Sequence, residues 1–151
     1  MAIGKKHNPK LQSAIEDYTK RLNRYAHTEW NLVEAKIAPS MKPEQIRQLE
    51  SGVILRQLDE SDTVVLLDER GTELSSPKLA NKLQGYKNTS VKNLVFVIGG
   101  AFGVNNDVMQ RADFTWSLSK LVLPHQLVRV VLAEQLYRAH TILAGEQYHH
   151  M

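Results

Sequence analysis

Apolar positions along the chain alternate between two rhythms. Leu11, Ala14, Ile15, Tyr18, Leu22 and Tyr25 recur at three- and four-residue steps behind Asn8-Pro9, and this spacing predicts an amphipathic helix with a side-chain cap and proline in its first turn. Ile46, Leu49, Val53, Ile54 and Leu58 predict a second helix after the linker at residues 39–43. Between and around these lie strand signals: a stub at residues 1–4, a weaker strand at Trp30, Leu32 and Val33, and the continuous run TVVLL at residues 63–67. A run so uniformly aliphatic and β-branched predicts a strand covered on both faces.

The alternation continues to the end of the sequence. Residues 68–75 predict a polar loop containing Gly71, and Ser76-Pro77 a cap for a helix carrying Leu79, Ala80, Leu83 and Tyr86. Residues 93–98 predict another buried strand, 105–111 a short helix, 114–118 a last strand and 126–143 a last helix. On that helix Leu127, Val128, Val130, Val131, Leu132, Ala133, Leu136, Ala139, Ile142 and Leu143 cover most of the circumference, so it must be buried on more than one side. In so small a chain a partner subunit is the economical second side, which predicts a homodimer packed through this helix. The whole pattern predicts an α/β fold, a mostly parallel sheet with helices on both faces, in a single domain spanning residues 1–151.

Composition adds exclusions. Cysteine is absent, which removes thiolate catalysis, cysteine-ligated metals and disulfides. No apolar run reads as a signal peptide or spans a membrane, so a cytoplasmic protein is expected. The net charge of +3 says little, but Lys5, Lys6, Lys10, Lys20, Arg21 and Arg24 crowd the first helix against only Glu16 and Asp17. Such a cluster either tracks a polyanion such as RNA or forms a solvated helix face.

In a parallel sheet, ligands collect at the carboxyl ends of strands. Here those ends read LLDERG at residues 66–71, IGGAFG at 98–103 and LSKLVLP at 118–124. The glycine loop is no P-loop, because Gly103 is followed by Val104-Asn105 rather than Lys-Ser/Thr, and it lacks the G-x-G-x-x-G spacing of dinucleotide sites. It remains either a tight turn or a ligand cradle. The aliphatic middle of the third loop is expected to fold inward and to offer apolar walls with main-chain donors and acceptors. Together these features suggest an adenosine-containing ligand without a triphosphate. Ser119 and His125 do not form a nucleophile elbow, which disfavours a serine hydrolase.

The stretches FVIGGAFG, WSLSKLVLPHQLVRVVLAEQLYRA and the terminal YHH resemble the ribosomal RNA large subunit methyltransferase H family. These are small SPOUT-superfamily enzymes that methylate N3 of a pseudouridine in 23S ribosomal RNA. The resemblance implies a C-terminal trefoil knot, a homodimer and S-adenosyl-L-methionine as methyl donor. Carried over by position, it places the donor against Leu67, Gly100, Ser119, Lys120, Leu121, Val122, Leu123 and Pro124. Gly100 is then expected to be small so that the ligand can lie on bare backbone.

Methyl transfer needs alignment, exclusion of water and removal of the acceptor N3 proton, the last a task suited to histidine. Tyr148 and His149 are the candidates in the tail, as a stacking aromatic beside an imidazole, unless the terminus is frayed. His125 either takes part or fixes the turn after Pro124. Arg129 and Arg138 are costly on an apolar helix unless paired; Arg138 either contacts RNA or acceptor, or pairs with Glu134. Asp68 and Glu69 are alternative bases or solvated loop carboxylates. A non-catalytic RNA-binding module is the competing reading of the chain; it explains the basic helix but not the aliphatic loop.

Overall fold

The computed structural model describes residues 1–148. In chain order it consists of β1 (Ala2–Ile3), α1 (Pro9–Leu22), β2 (Leu32–Val33), α2 (Pro43–Arg56), β3 (Thr63–Glu73), α3 (Ser76–Asn88), β4 (Leu94–Ile98), α4 (Asn106–Arg111), β5 (Phe114–Ser117) and α5 (His125–Leu143). The strands form one sheet in the order β2-β1-β4-β3-β5, and every pairing is parallel. The expected α/β class is therefore observed. Among the described residues no helix is long and apolar enough to cross a membrane.

The TVVLL run shows how the sheet divides the core. Successive strand residues point to opposite faces. Val65 packs with Leu79, Leu83, Leu132 and Leu136, on the side covered by α1, α3 and α5. Val64 and Leu66 pack instead with Ile54, Val97, Val104 and Val108, on the side of α2 and α4. Both faces of the strand are covered, as its composition requires.

Helix starts follow local chemistry. Asn8 accepts a hydrogen bond from Lys10 N at 2.9 Å and Pro9 opens α1, so a donor that would be left unpaired in the first turn is met by a side chain. Before α3 the cap is Ser75 rather than Ser76, and the Ser76 hydroxyl instead donates to Gln135 Oε1 on α5 at 2.9 Å. The last helix begins one residue earlier than expected, at His125.

Two expectations change. Residues 68–75 are not simply a loop, because β3 runs on to Glu73. It pairs with β5 through Leu67↔Trp116, shifts register, and resumes at Thr72↔Trp116 and Glu73↔Ser117. Gly71 permits the return: a Cβ there would stand 2.6 Å from Thr115 O and 2.7 Å from its carbonyl carbon, so only glycine lets the two backbones lie this close. Polar composition disguised this extension, since Asp68–Gly71 protrude between two paired stretches.

The second change concerns α5, which packs against both α1 and α3 of its own chain. Leu132, Ala133, Leu136 and Ala139 are buried by these neighbours, so the helix is covered on more than one side within its own chain, while the other six apolar positions stay at least partly accessible. Leu127 is left exposed and Val130 and Val131 half-buried.

Candidate functional site

The expected strand ends meet around a cavity of about 430 Å³. From β3 come Leu67, Asp68, Glu69 and Arg70; from the glycine loop after β4, Gly99 to Val104; from the loop after β5, Leu118, Ser119 and Leu121 to Leu123. α5 adds His125 and Val128, and α2 adds Arg47. The volume lies within the ~300–1,000 Å³ typical of small-molecule sites.

Six of the eight positions expected to hold a donor line this cavity: Leu67, Gly100, Ser119, Leu121, Val122 and Leu123. Lys120 and Pro124 shape the loop instead. Lys120 Nζ donates to Glu69 O at 3.0 Å and to Gly71 O at 2.9 Å, tying the third loop to the protruding part of β3. Pro124 caps α5, and its carbonyl accepts from Leu127 N and Val128 N. The Ser119 hydroxyl accepts from Leu121 N at 2.9 Å, closing a small turn. No hydrogen bond joins Ser119 to His125 among the described residues, so a serine nucleophile has no base.

The aliphatic loop is less folded in than its composition suggests. Leu121 is 74% exposed and Val122 85%, and Phe102 on the glycine loop is 45% exposed. These apolar groups stand at the cavity mouth, where nothing among the described residues covers them; burying them needs a ligand, a second molecule or both.

Gly100 also differs from expectation. Its side-chain space is not open to the cavity but filled by the Glu50 carboxyl from α2, with Cδ 2.7 Å and Oε1 2.8 Å from where a Cβ would stand. The glycine is small to admit a carboxyl group. Around it, Asn105 secures the loop to α2, its N–H donating to Ser51 Oγ at 2.9 Å and its side chain to Gln48 Oε1 at 2.8 Å.

Asp68 is not a free base. Its side chain is largely covered, and the Arg70 guanidinium grips it through Nε at 2.7 Å and Nη2 at 2.8 Å, which holds its carboxyl below the usual carboxylate range. His125 is different: burial, and secondarily the nearby Arg129 charge, push its pKa down, which favours the neutral imidazole at the cavity wall.

Arg138 and Tyr148 lie elsewhere. Arg138 Nε and Nη2 donate to Glu134 Oε1 at 2.9 and 2.5 Å, the paired alternative for this residue. Its guanidinium carbon sits 4.7 Å from the centre of the Tyr148 ring, and the Tyr148 hydroxyl donates to the same Glu134 oxygen at 3.2 Å. Tyr148 is therefore packed rather than frayed. His149 lies outside the described residues. Because His125 and Arg138 are on one helix, the rise of about 1.5 Å per residue puts them roughly 20 Å apart along its axis.

Sequence reading missed Arg47, Phe102 and Val128 as wall residues. Arg47 had no local signal, since α2 reaches the site only through the tertiary fold. Phe102 and Val128 sat inside motifs already singled out and could have been found there.

A cavity of mixed apolar and polar lining at the carboxyl ends of a parallel sheet suits a group-transfer enzyme, and residues 1–149 match the family model described as "Predicted SPOUT methyltransferase". Three curated relatives bear the name "Ribosomal RNA large subunit methyltransferase H". The protein of Acetivibrio thermocellus is 39% identical, covering 99% of this chain and 96% of its own length. That of Flavobacterium psychrophilum is 40% identical over the same shares, and that of Geobacter metallireducens 41% identical over 98% and 95%. The chain belongs to this family of SPOUT methyltransferases, which excludes the reading as a non-catalytic module.

Proposed function

We propose that the chain methylates N3 of a pseudouridine in 23S ribosomal RNA with S-adenosyl-L-methionine as donor, in the cytoplasm, as a single-domain homodimer with the C-terminal trefoil knot that the family implies. The observation that carries this reading is the agreement between the donor positions expected from the family and the cavity wall: Leu67, Gly100, Ser119, Leu121, Val122 and Leu123 converge there from three separate strand ends. The names of the relatives supply the ribosomal RNA.

The cavity fits the donor by size and by its mixed lining, with Leu67, Leu121, Val122 and Leu123 suited to the face of an adenine ring and polar groups beside them for the rest of the molecule. When bound, S-adenosyl-L-methionine supplies an electrophilic methyl group on a sulfonium. Leu67 and Leu123 exclude water, and the glycine loop and the residues around Ser119 offer main-chain groups for polar edges. The protein needs no nucleophile for this chemistry. It must hold the acceptor in line and remove its N3 proton.

Tyr148 and His149 are proposed to hold the acceptor base and take that proton, with Arg138 as a fixed cation beside them. Glu134 orients Arg138 and anchors the Tyr148 hydroxyl. Since about 15 Å along α5 separates Arg138 from Val128, the nearest wall residue of that helix, one protomer does not bring Arg138 to the donor cavity. A second copy would, and the uncovered Phe102, Leu121 and Val122 supply a surface that such a copy can bury.

Two measurements test the reading. Calorimetry should detect saturable binding of S-adenosyl-L-methionine to the purified chain. Mass mapping of 23S ribosomal RNA from cells lacking the gene should show the loss of one methyl group on a pseudouridine; unchanged maps would remove the substrate assignment.

A further inference from the structure

The unpartnered acid beside the cavity comes from α2. Glu50 is 5% exposed, and its Oε2 has no hydrogen-bond partner among the described residues. No cationic side chain among those residues pairs with it either; burial alone pushes its pKa up, and no neighbouring charge offsets the push. Arg47, one turn earlier on the helix, is turned to Glu44 through Nη2, and its Nε is buried without a partner among the described residues. Burial by itself favours the neutral acid, and a cation brought close would favour its charged form, so the carboxyl is poised to respond to a positive ligand.

The position of the carboxyl suggests where such a ligand would lie. It fills the side-chain space of Gly100, and Gly100 is itself a wall residue. The acid is thus separated from the cavity by little more than one peptide backbone. A cation in the cavity would supply the positive charge, and unit charges in a protein interior interact appreciably over several ångströms. The donor reading on which this rests provides such a cation. Sulfur carries a positive charge before methyl transfer and, as a thioether, none after it.

We propose that Glu50 is a specificity-determining residue that favours the sulfonium donor over the thioether product, acting through the glycine turn without touching either. Loss of the methyl group removes the attraction and loosens the spent donor. Glycine at position 100 then serves this device, because any side chain there would drive the carboxyl away from the wall.

The test is calorimetric titration of the full chain and of Glu50→Gln with S-adenosylmethionine and, separately, with S-adenosylhomocysteine. The glutamine keeps the shape and removes the charge. It should weaken the sulfonium ligand about tenfold while changing the thioether less than about twofold. Equal weakening of both ligands would show that the carboxyl only packs the turn, and unchanged affinities would show that it does nothing for the donor; either overturns the proposal. If Glu50→Gln does not fold, Glu50→Met, apolar and of similar length, carries the same comparison. Failure of the unaltered chain to bind either ligand would sink the donor reading itself, an outcome distinct from an unchanged ratio.

Discussion

Arg129 is wholly buried on α5, with no carboxylate partner among the described residues. Its Nη2 donates to Ile3 O at 2.6 Å and its Nη1 to Lys6 O at 3.1 Å, so the side chain gathers the carbonyls at the end of β1 and just beyond it. Gly4 completes the arrangement with φ +130°, and a Cβ there would stand 2.9 Å from Arg129 Nη2. The sequence marks Arg129 as costly unless paired but cannot reveal its partners, because two are backbone carbonyls, which carry no signature in residue types, and the third is the distant His7 ring, 3.1 Å from Nη1. Arg129→Met should lower stability by about 2–4 kcal/mol in urea unfolding, since two carbonyls lose their donor. A change below about 1 kcal/mol would mean that water replaces the guanidinium at little cost. Glu50 illustrates the same limit: the need for a small residue at Gly100 is legible, but the group that occupies the space comes from α2, distant in sequence.

At the scale of elements, the site depends on a link between two strand ends. β3 continues past its pairing with β4, and Lys120 reaches back from the third loop to hold the protruding Glu69 and Gly71 carbonyls. This fixes the loop that carries Leu121 to Leu123 without covering it. Lys120→Met should weaken binding of S-adenosyl-L-methionine by about tenfold, while stability changes by no more than about 1 kcal/mol because the amine is on the surface. Parallel calorimetry and urea titration check both halves of this expectation. Buried strands and capped helices were legible because period and cap chemistry are local. The extension of β3 was not, because Asp68–Gly71 has the composition of a loop and only the close approach of Gly71 to Thr115 returns Thr72 and Glu73 to the sheet.

The whole molecule raises the question of how donor and tail meet. The alternation of elements was enough to read a parallel sheet with helices on both faces, whereas strand order and the intramolecular burial of α5 required the tertiary structure. A composite site in a dimer makes a definite arithmetic prediction. Leu123→Asp disables the donor loop and Tyr148→Ala the tail, so each variant alone should be inactive. Mixed dimers of the two should recover about half the activity per dimer, since one of the two sites receives an intact loop and an intact tail. No recovery would mean that each chain uses its own tail.

The packing of α5 against α1 has one more consequence, for synthesis on the ribosome. The last helix closes the face that the first helix covers, so the earlier elements wait with an open apolar face until residues 125–143 have emerged. At about 5–20 residues per second, translation of that helix takes roughly one to four seconds. A nascent chain halted before it would expose Leu22, Leu79 and Leu83, making it a client for chaperones and proteases rather than a truncated enzyme.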